Sequence, residues 1–176
     1  MTHHRDIRTE DLEAMLQLTR HPEDLRLLVA HANRTIGFFP AHNPRALEHP
    51  WVLASLGAEL CGLRILDVGA GVNPLPFALA ERGATVTTLD NHPLTRTGQP
   101  RAEWNEWGYL DYSSIDARIS SERCPYEQFK PDTLFDCIYS VSVIEHVPAT
   151  VRRLDRQPLA ATYSRRPAPA DRRPYS

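Results

Sequence analysis

The chain opens with a helical hydrophobic period. Leu12, Met15 and Leu16 fall on one face, and after a break Leu25, Leu28 and Val29 repeat the stripe, so residues 9–32 predict two consecutive helices. Thr9 caps the first and Pro22 opens the second, with Glu10, Asp11, Glu23 and Asp24 in the first turns, where the helix dipole favours acids. Gly37-Phe38-Phe39-Pro40 is a loop whose aromatics read as core, with a lid as the alternative. A further helix spans Pro44 to Leu60 and carries Trp51, Val52, Leu56 and Leu60, of which Trp51 reads as a core residue. The pattern then changes to short apolar runs: Leu63 to Val68, Ala84 to Leu89, weakly Ala117 to Ser121, and Phe135 to Val143. Such runs mark strands buried on both faces of a parallel sheet, so the fold class is α/β.

The stretch from Leu63 to Asp90 organises the rest. It reads as strand, glycine turn, helix, strand, acid. Gly69 and Gly71 allow a sharp turn with no Cβ in the way of a ligand. Asn73 is placed as a cap, Pro74 at the first helical position and Gly83 at the C-terminal stop. Asp90 ends the second strand, 19 residues after Gly71, where a nucleotide ribose lies in βαβ units. A dinucleotide site wants a small residue three positions after the second glycine, and Pro74 stands there. The bland alternative is an ordinary α/β turn shaped by its glycines.

The form Asp67-x-Gly69-x-Gly71 resembles motif I of the class I S-adenosylmethionine-dependent methyltransferases. By position, that resemblance gives Asp67, Gly69, Ala70 and Gly71 the methionine end of the cofactor and Asp90 the two ribose hydroxyls, with Asn91 in the turn beside them. A carboxylate suits a vicinal diol because its two oxygens accept both O–H donors. Phe135-Asp136-Cys137-Ile138-Tyr139-Ser140 leading to Glu145-His146-Val147 resembles the family's fourth-strand motif, which implies a place near the cofactor for Ser140. His146 is a candidate general base, although alignment alone serves many such enzymes. Glu122 is the candidate for the adenine amino group, with Asp116 as rival and a solvated loop acid as the plainer account of either.

The resemblance implies a Rossmann-like, doubly wound parallel sheet, incomplete here: strands one to four of the usual seven, preceded by helices. It divides the chain into a helical segment, 1–43, the N-terminal part of a cofactor-binding domain, 44–154, and a disordered tail, 155–176. The tail has no strand pattern and holds Pro158, Pro167, Pro169 and Pro174 among its arginines. Out-of-frame translation after about Leu154 is one account of it. An arginine tail for nucleic acid or an acidic partner is the other. Without a fifth strand, Ile138, Val141 and Val143 would form an edge that invites another chain.

Composition excludes several classes. At 41% apolar with no run able to span a membrane, the chain has the makeup of one globular domain. The start lacks a signal-peptide core, which makes cytoplasmic the expectation. Cys61, Cys124 and Cys137 are too scattered for a disulfide framework or zinc site; Cys61 and Cys137 read as small hydrophobes beside strands. The eight histidines show no metal-ligand spacing, so no metal is expected. Net charge is −2, yet residues 151–176 hold seven arginines against Asp155 and Asp171, leaving the rest at −7. Trp104, Trp107, Tyr109 and Tyr112 lie among acids rather than bases, which disfavours nucleic acid there. Cation or flat-ligand binding and half-buried packing both remain open for them.

The functional expectation is therefore methyl transfer from S-adenosylmethionine to an unidentified acceptor, a small molecule by preference, with activity in this chain open. The alternatives are a non-catalytic fragment that binds a partner or itself through the fourth-strand edge, and an NAD-dependent oxidoreductase.

Overall fold

The computed structural model describes residues 9–40, 43–100, 103–141 and 143. In chain order it contains α1 (Thr9–Leu18), α2 (Pro22–Thr35), α3 (Asn43–Leu56), β1 (Arg64–Val68), α4 (Leu75–Glu81), β2 (Thr85–Leu89), β3 (Thr95–Arg96), β4 (Tyr109–Leu110), β5 (Ile119–Glu122) and β6 (Cys137–Tyr139). The main sheet has the order β5-β2-β1-β6, and every pair in it is parallel. The chain runs outward from β1 through β2 to β5, then returns to the other side of β1. Strand order therefore reverses at β1, and in parallel sheets ligands bind beyond the carboxyl ends of the strands at such a point. The fold is α/β and Rossmann-like.

Period two along the strands builds the core. Ile65, Val86, Ile119 and Cys137 lie in register across the sheet and belong to, or pack against, the cluster formed with Leu25, Leu28, Leu53, Leu75 and Leu79. α4 is buried at six of its seven positions, so no polar face is needed, and the sequence supplies none before Glu81. Gly83, at φ 91°, ends it: the Ala84 amide donates to Leu79 O and the Gly83 amide to Ala80 O, closing the exposed carbonyls of the last turn. At the start of β6, Asp136 and Arg64 exchange hydrogen bonds. The Arg64 amide donates to Asp136 Oδ2 at 2.9 Å and the Asp136 amide to Arg64 O at 2.8 Å, fixing the register of β1 against β6.

Several sequence expectations need correction. α3 stops at Leu56 rather than Leu60, because Gly57 adopts φ 92° and the Arg82 guanidinium takes the Leu53 and Gly57 carbonyls. Trp51 is 61% exposed. The buried residues of α3 are Ala46, His49, Pro50, Val52 and Leu53, and Trp51 faces outward with Leu47 into a groove that Leu18 also lines. Cys61 is exposed, since the residues before β1 turn outward instead of extending the strand. The third main-sheet strand begins at Ile119 and includes Glu122. Phe39 is buried, as expected of a core aromatic. The two-residue parallel ribbon of β3 and β4, inside the connection from β2 to β5, has no counterpart in the sequence reading. No helix among the described residues is long and apolar enough to cross a membrane.

Candidate functional site

Two residues beyond the apolar row, the same face of the sheet turns polar. Ser121, Thr88, Asp67 and Tyr139 lie in register across β5, β2, β1 and β6, one from each strand near its carboxyl end. The hydrophobic core thus ends in a polar row at the place where the glycine turn begins. The Thr88 hydroxyl lies 3.1 Å from Ser121 Oγ, which also accepts the Tyr112 amide at 2.9 Å. Asp67 is 2% exposed, and burial pushes its carboxyl up to about 7. The Tyr139 hydroxyl and the Asn73 side chain oppose that shift, and the Asp90 charge adds to it. Neither neighbour closes a well-formed bond to Asp67 Oδ2, which is buried without a hydrogen-bond partner, as are the Tyr139 hydroxyl and Ser140 Oγ. Three orphaned polar atoms at the ends of β1 and β6 are costly unless a ligand group completes them.

The turn after β1 is held from several sides. Gly69 and Gly71 take φ 72° and 57°. A Cβ at Gly69 would overlap the Val143 side chain, and one at Gly71 would lie 2.8 Å from Glu106 O. Both glycines are therefore required by the close approach of the chain itself. Each amide of the turn has a partner: Gly69 and Ala70 donate to Leu89 O, Gly71 to Asp90 Oδ2, Val72 to Glu106 O and Asn73 to the Tyr112 hydroxyl. A pyrophosphate loop works by presenting unpaired amides to the anion. This turn presents none from 69 to 73, which argues against the dinucleotide alternative.

Asn73 acts as expected at the helix start, although α4 begins at Leu75 with Pro74 in the cap position. Its Oδ1 accepts the Leu75 amide at 2.8 Å, and its Nδ2 donates to Ala70 O at 2.7 Å. Asp90 lies at the carboxyl end of β2, where its oxygens accept the Gly71 amide at 2.8 Å and the His92 amide at 2.7 Å. Asn91 follows it and is exposed. Glu122 ends β5 in register with Leu89, and its carbonyl accepts the Asp90 amide at 3.1 Å. Its rival Asp116 is committed elsewhere: it precedes β5 and forms an ion pair with Arg118 at 2.6 Å, which holds its carboxyl below the usual carboxylate range.

The structure thus gathers Asp67, Gly69, Ala70, Gly71, Asp90 and Ser140 around one turn, with Asn91 at its β2 side; Glu122, one position past Ser121, lines the other face of the sheet instead. Glu145 and His146, and the tail beyond them, lie outside the described residues. Three residues at the site were given no role there by the sequence. Tyr139 is set by the register of β6, Tyr112 sits in the aperiodic connection, and Arg45 on α3 donates to Val141 O at 3.1 Å while its charge favours the ionised form of Asp67. Of the aromatic cluster, Trp104, Tyr109 and Tyr112 are buried packing and Trp107 is exposed. A cavity of about 680 Å³ bounded by Arg64, Thr87, Phe129 and Phe135 opens on the opposite face of the sheet; Glu122 lines it, whereas Asp67, Gly69, Ala70, Gly71, Asp90, Asn91 and Ser140 do not.

No family model matches the chain. A ubiquinone biosynthesis O-methyltransferase of Pseudomonas fluorescens strain Pf-5 is 30% identical over 116 residues, covering 66% of this chain and 46% of that relative. The enzyme of the same name from Dechloromonas aromatica is 33% identical over 114 residues, covering 63% and 44%. Over the matched residues the chain is similar to the class I methyltransferases. It spans about half the length of the curated relatives it matches. A solved phosphoethanolamine N-methyltransferase 2 of Haemonchus contortus, in complex with phosphomonomethylethanolamine and S-adenosylhomocysteine, aligns with 83% of this chain and 32% of its own at 18% identity and a TM-score of 0.43. The methyltransferase strand order 3-2-1-4 is the order of the main sheet here once the β3–β4 ribbon is set aside.

Proposed function

We propose that the chain binds S-adenosylmethionine beyond the carboxyl ends of β1, β2 and β6 and serves methyl transfer to an acceptor. The observation that carries this is the unpartnered Asp67 Oδ2, buried beside the glycine turn with Asp90 on the other side of it. The donor set fits the group. Asp67 would take the methionine ammonium, with the Tyr139 hydroxyl and Ser140 Oγ as further partners, and Asp90 would take the ribose diol, each carboxylate oxygen having a second lone pair beyond its present bond. Asn91 would lie toward the base. When bound, the cofactor supplies an electrophilic methyl on a positively charged sulfur. The residues of this chain orient it, a contribution of positioning.

The acceptor proposed is a hydroxyl of a small molecule, a reading that rests on the word O-methyltransferase in the relatives' names. Cytoplasmic location stays an expectation with it. A second reading has an observation behind it: in the main-sheet order β6 lies at one end, so the fourth-strand edge is a place for self-association or a partner strand. The discriminating experiment is ultraviolet crosslinking of the purified chain with methyl-labelled S-adenosylmethionine. Labelling suppressed by S-adenosylhomocysteine but not by NADH supports the first reading. No labelling, together with concentration-dependent mass in light scattering, replaces it with the second.

A further inference from the structure

Tyr112 is fully buried, in a short 3-10 turn (Tyr112–Ser114) between β4 and β5. Its hydroxyl accepts the Asn73 amide at 3.0 Å and lies 3.2 Å from both Gly71 O and Asn73 O. A phenol has one proton, so it donates to one of those two carbonyls at a time. The ring packs on Phe77 of α4, centroids 5.2 Å apart, and the backbone amide is tied to Ser121 Oγ in the polar row.

The plain account is a core tyrosine that has found a partner, as buried tyrosines do. The choice of partners goes beyond it. All of the hydroxyl's bonds fall on Gly71 and Asn73, the turn between Asp67 and α4, and none falls on the core around it. Asp90 holds the same turn by the Gly71 amide. The turn is therefore gripped at two points, from β2 by a carboxylate and from the β4–β5 connection by a phenol. We propose that Tyr112 is a positioning residue for the cofactor turn, fixing Gly71–Asn73 so that Asp67 and Asp90 face one ligand. This rests on the methyltransferase reading of the same site.

Tyr112→Phe keeps the ring and leaves the buried Asn73 amide without an acceptor. The control is Phe77→Leu, which disturbs the same packing and spares the hydroxyl. S-adenosylhomocysteine binding and thermal melting are measured for the full chain and both variants. The expected result is affinity about tenfold weaker in Tyr112→Phe, the usual scale for one orphaned buried partner. Phe77→Leu should change affinity less than about twofold while lowering Tm at least as much. Equal affinity in Tyr112→Phe and wild type, or affinity that tracks Tm across both variants, overturns the proposal. Hydrogen exchange separates this from failure of the functional reading. If wild type binds no S-adenosylhomocysteine, that reading falls, and exchange still decides the claim about the turn. Faster exchange in Tyr112→Phe at Asn73 and Leu75, with Val86 and Thr88 unchanged, supports it, and uniform exchange overturns it.

Discussion

The Asp90 carboxylate accepts the Gly71 amide at 2.8 Å, joining the end of β2 to the turn after β1 across 19 residues of sequence. One side chain thus shapes the turn and, in the proposed site, would receive the ribose. Asp90→Ala should abolish S-adenosylhomocysteine binding and also lower stability, because the Gly71 amide loses its acceptor. Asp90→Asn separates the two roles. It keeps one acceptor oxygen, so Tm should recover most of the loss while affinity stays about 10-fold or more below wild type. An Asn variant with wild-type affinity would show that the charge is not used.

Asp67 makes the folded chain sensitive to pH. Its carboxyl titrates at about 7 when buried and near ~3.9 in an unfolded chain. Between those values the folded state keeps a proton that the unfolded state has released, so this group's contribution weakens as pH rises from about 4 to about 7 and is level above. The total is at most a few kcal/mol, at about 1.4 kcal/mol per unit. Asp67→Asn should remove the slope and raise Tm at pH 8, as melts across that range would register. The same titration governs binding. A methionine ammonium needs the anion, so wild-type affinity should rise about tenfold from pH 6 to pH 8, with no such rise in the Asn variant.

Gly71→Ala tests the close approach of the chain to its own turn. The new Cβ meets Glu106 O at 2.8 Å and sits on a backbone at φ 57°. Gly98→Ala is the control, with φ 74° and open space around it. Both should destabilise, Gly98→Ala by about 1 kcal/mol from backbone strain and Gly71→Ala by about 2–3 kcal/mol. Only Gly71→Ala should weaken S-adenosylhomocysteine binding. Chemical denaturation with a parallel titration reads both quantities, and equal costs for the two would mean that Glu106 gives way freely.

Arg82 joins three helices behind the site. Its guanidinium donates to Leu53 O and Gly57 O, each at 2.9 Å, and pairs with Asp24 at 2.6 Å, both side chains being largely buried. Arg82→Ala should cost about 2–4 kcal/mol because it strands a largely buried carboxylate and two helix-end carbonyls. Arg82→Lys should recover only part of that, since an ammonium cannot span the fork. A midpoint in urea unchanged by Arg82→Ala would contradict this.

What the sequence made legible follows from local rules. The first two strands, the glycine turn, the helix stop at Gly83 and Asp90 are fixed by residue type at short spacing and stand where that spacing puts them, whereas the third strand begins two residues later than expected and the fourth shrinks to Cys137–Tyr139. Tyr139 and the polar row needed the register of β6 against β1, which Arg64 and Asp136 set through a pairing 72 residues apart. Tyr112 and the β3–β4 ribbon lie in a connection with no period, where partners are chosen by tertiary contact. Trp51 misled because bulk suggested burial, whereas α3 is buried through Ala46, His49, Pro50, Val52 and Leu53 and turns its largest side chain outward.

The central claim is that this turn and these two carboxylates form a cofactor site. Calorimetric titration of the purified chain with S-adenosylhomocysteine, alongside Asp90→Ala, tests it most directly. The account predicts one site per chain with micromolar affinity, lost in the variant. A chain that is folded by circular dichroism and melts cooperatively, yet gives no binding heat at any pH from 6 to 8 and no Tm shift with ligand, would contradict it.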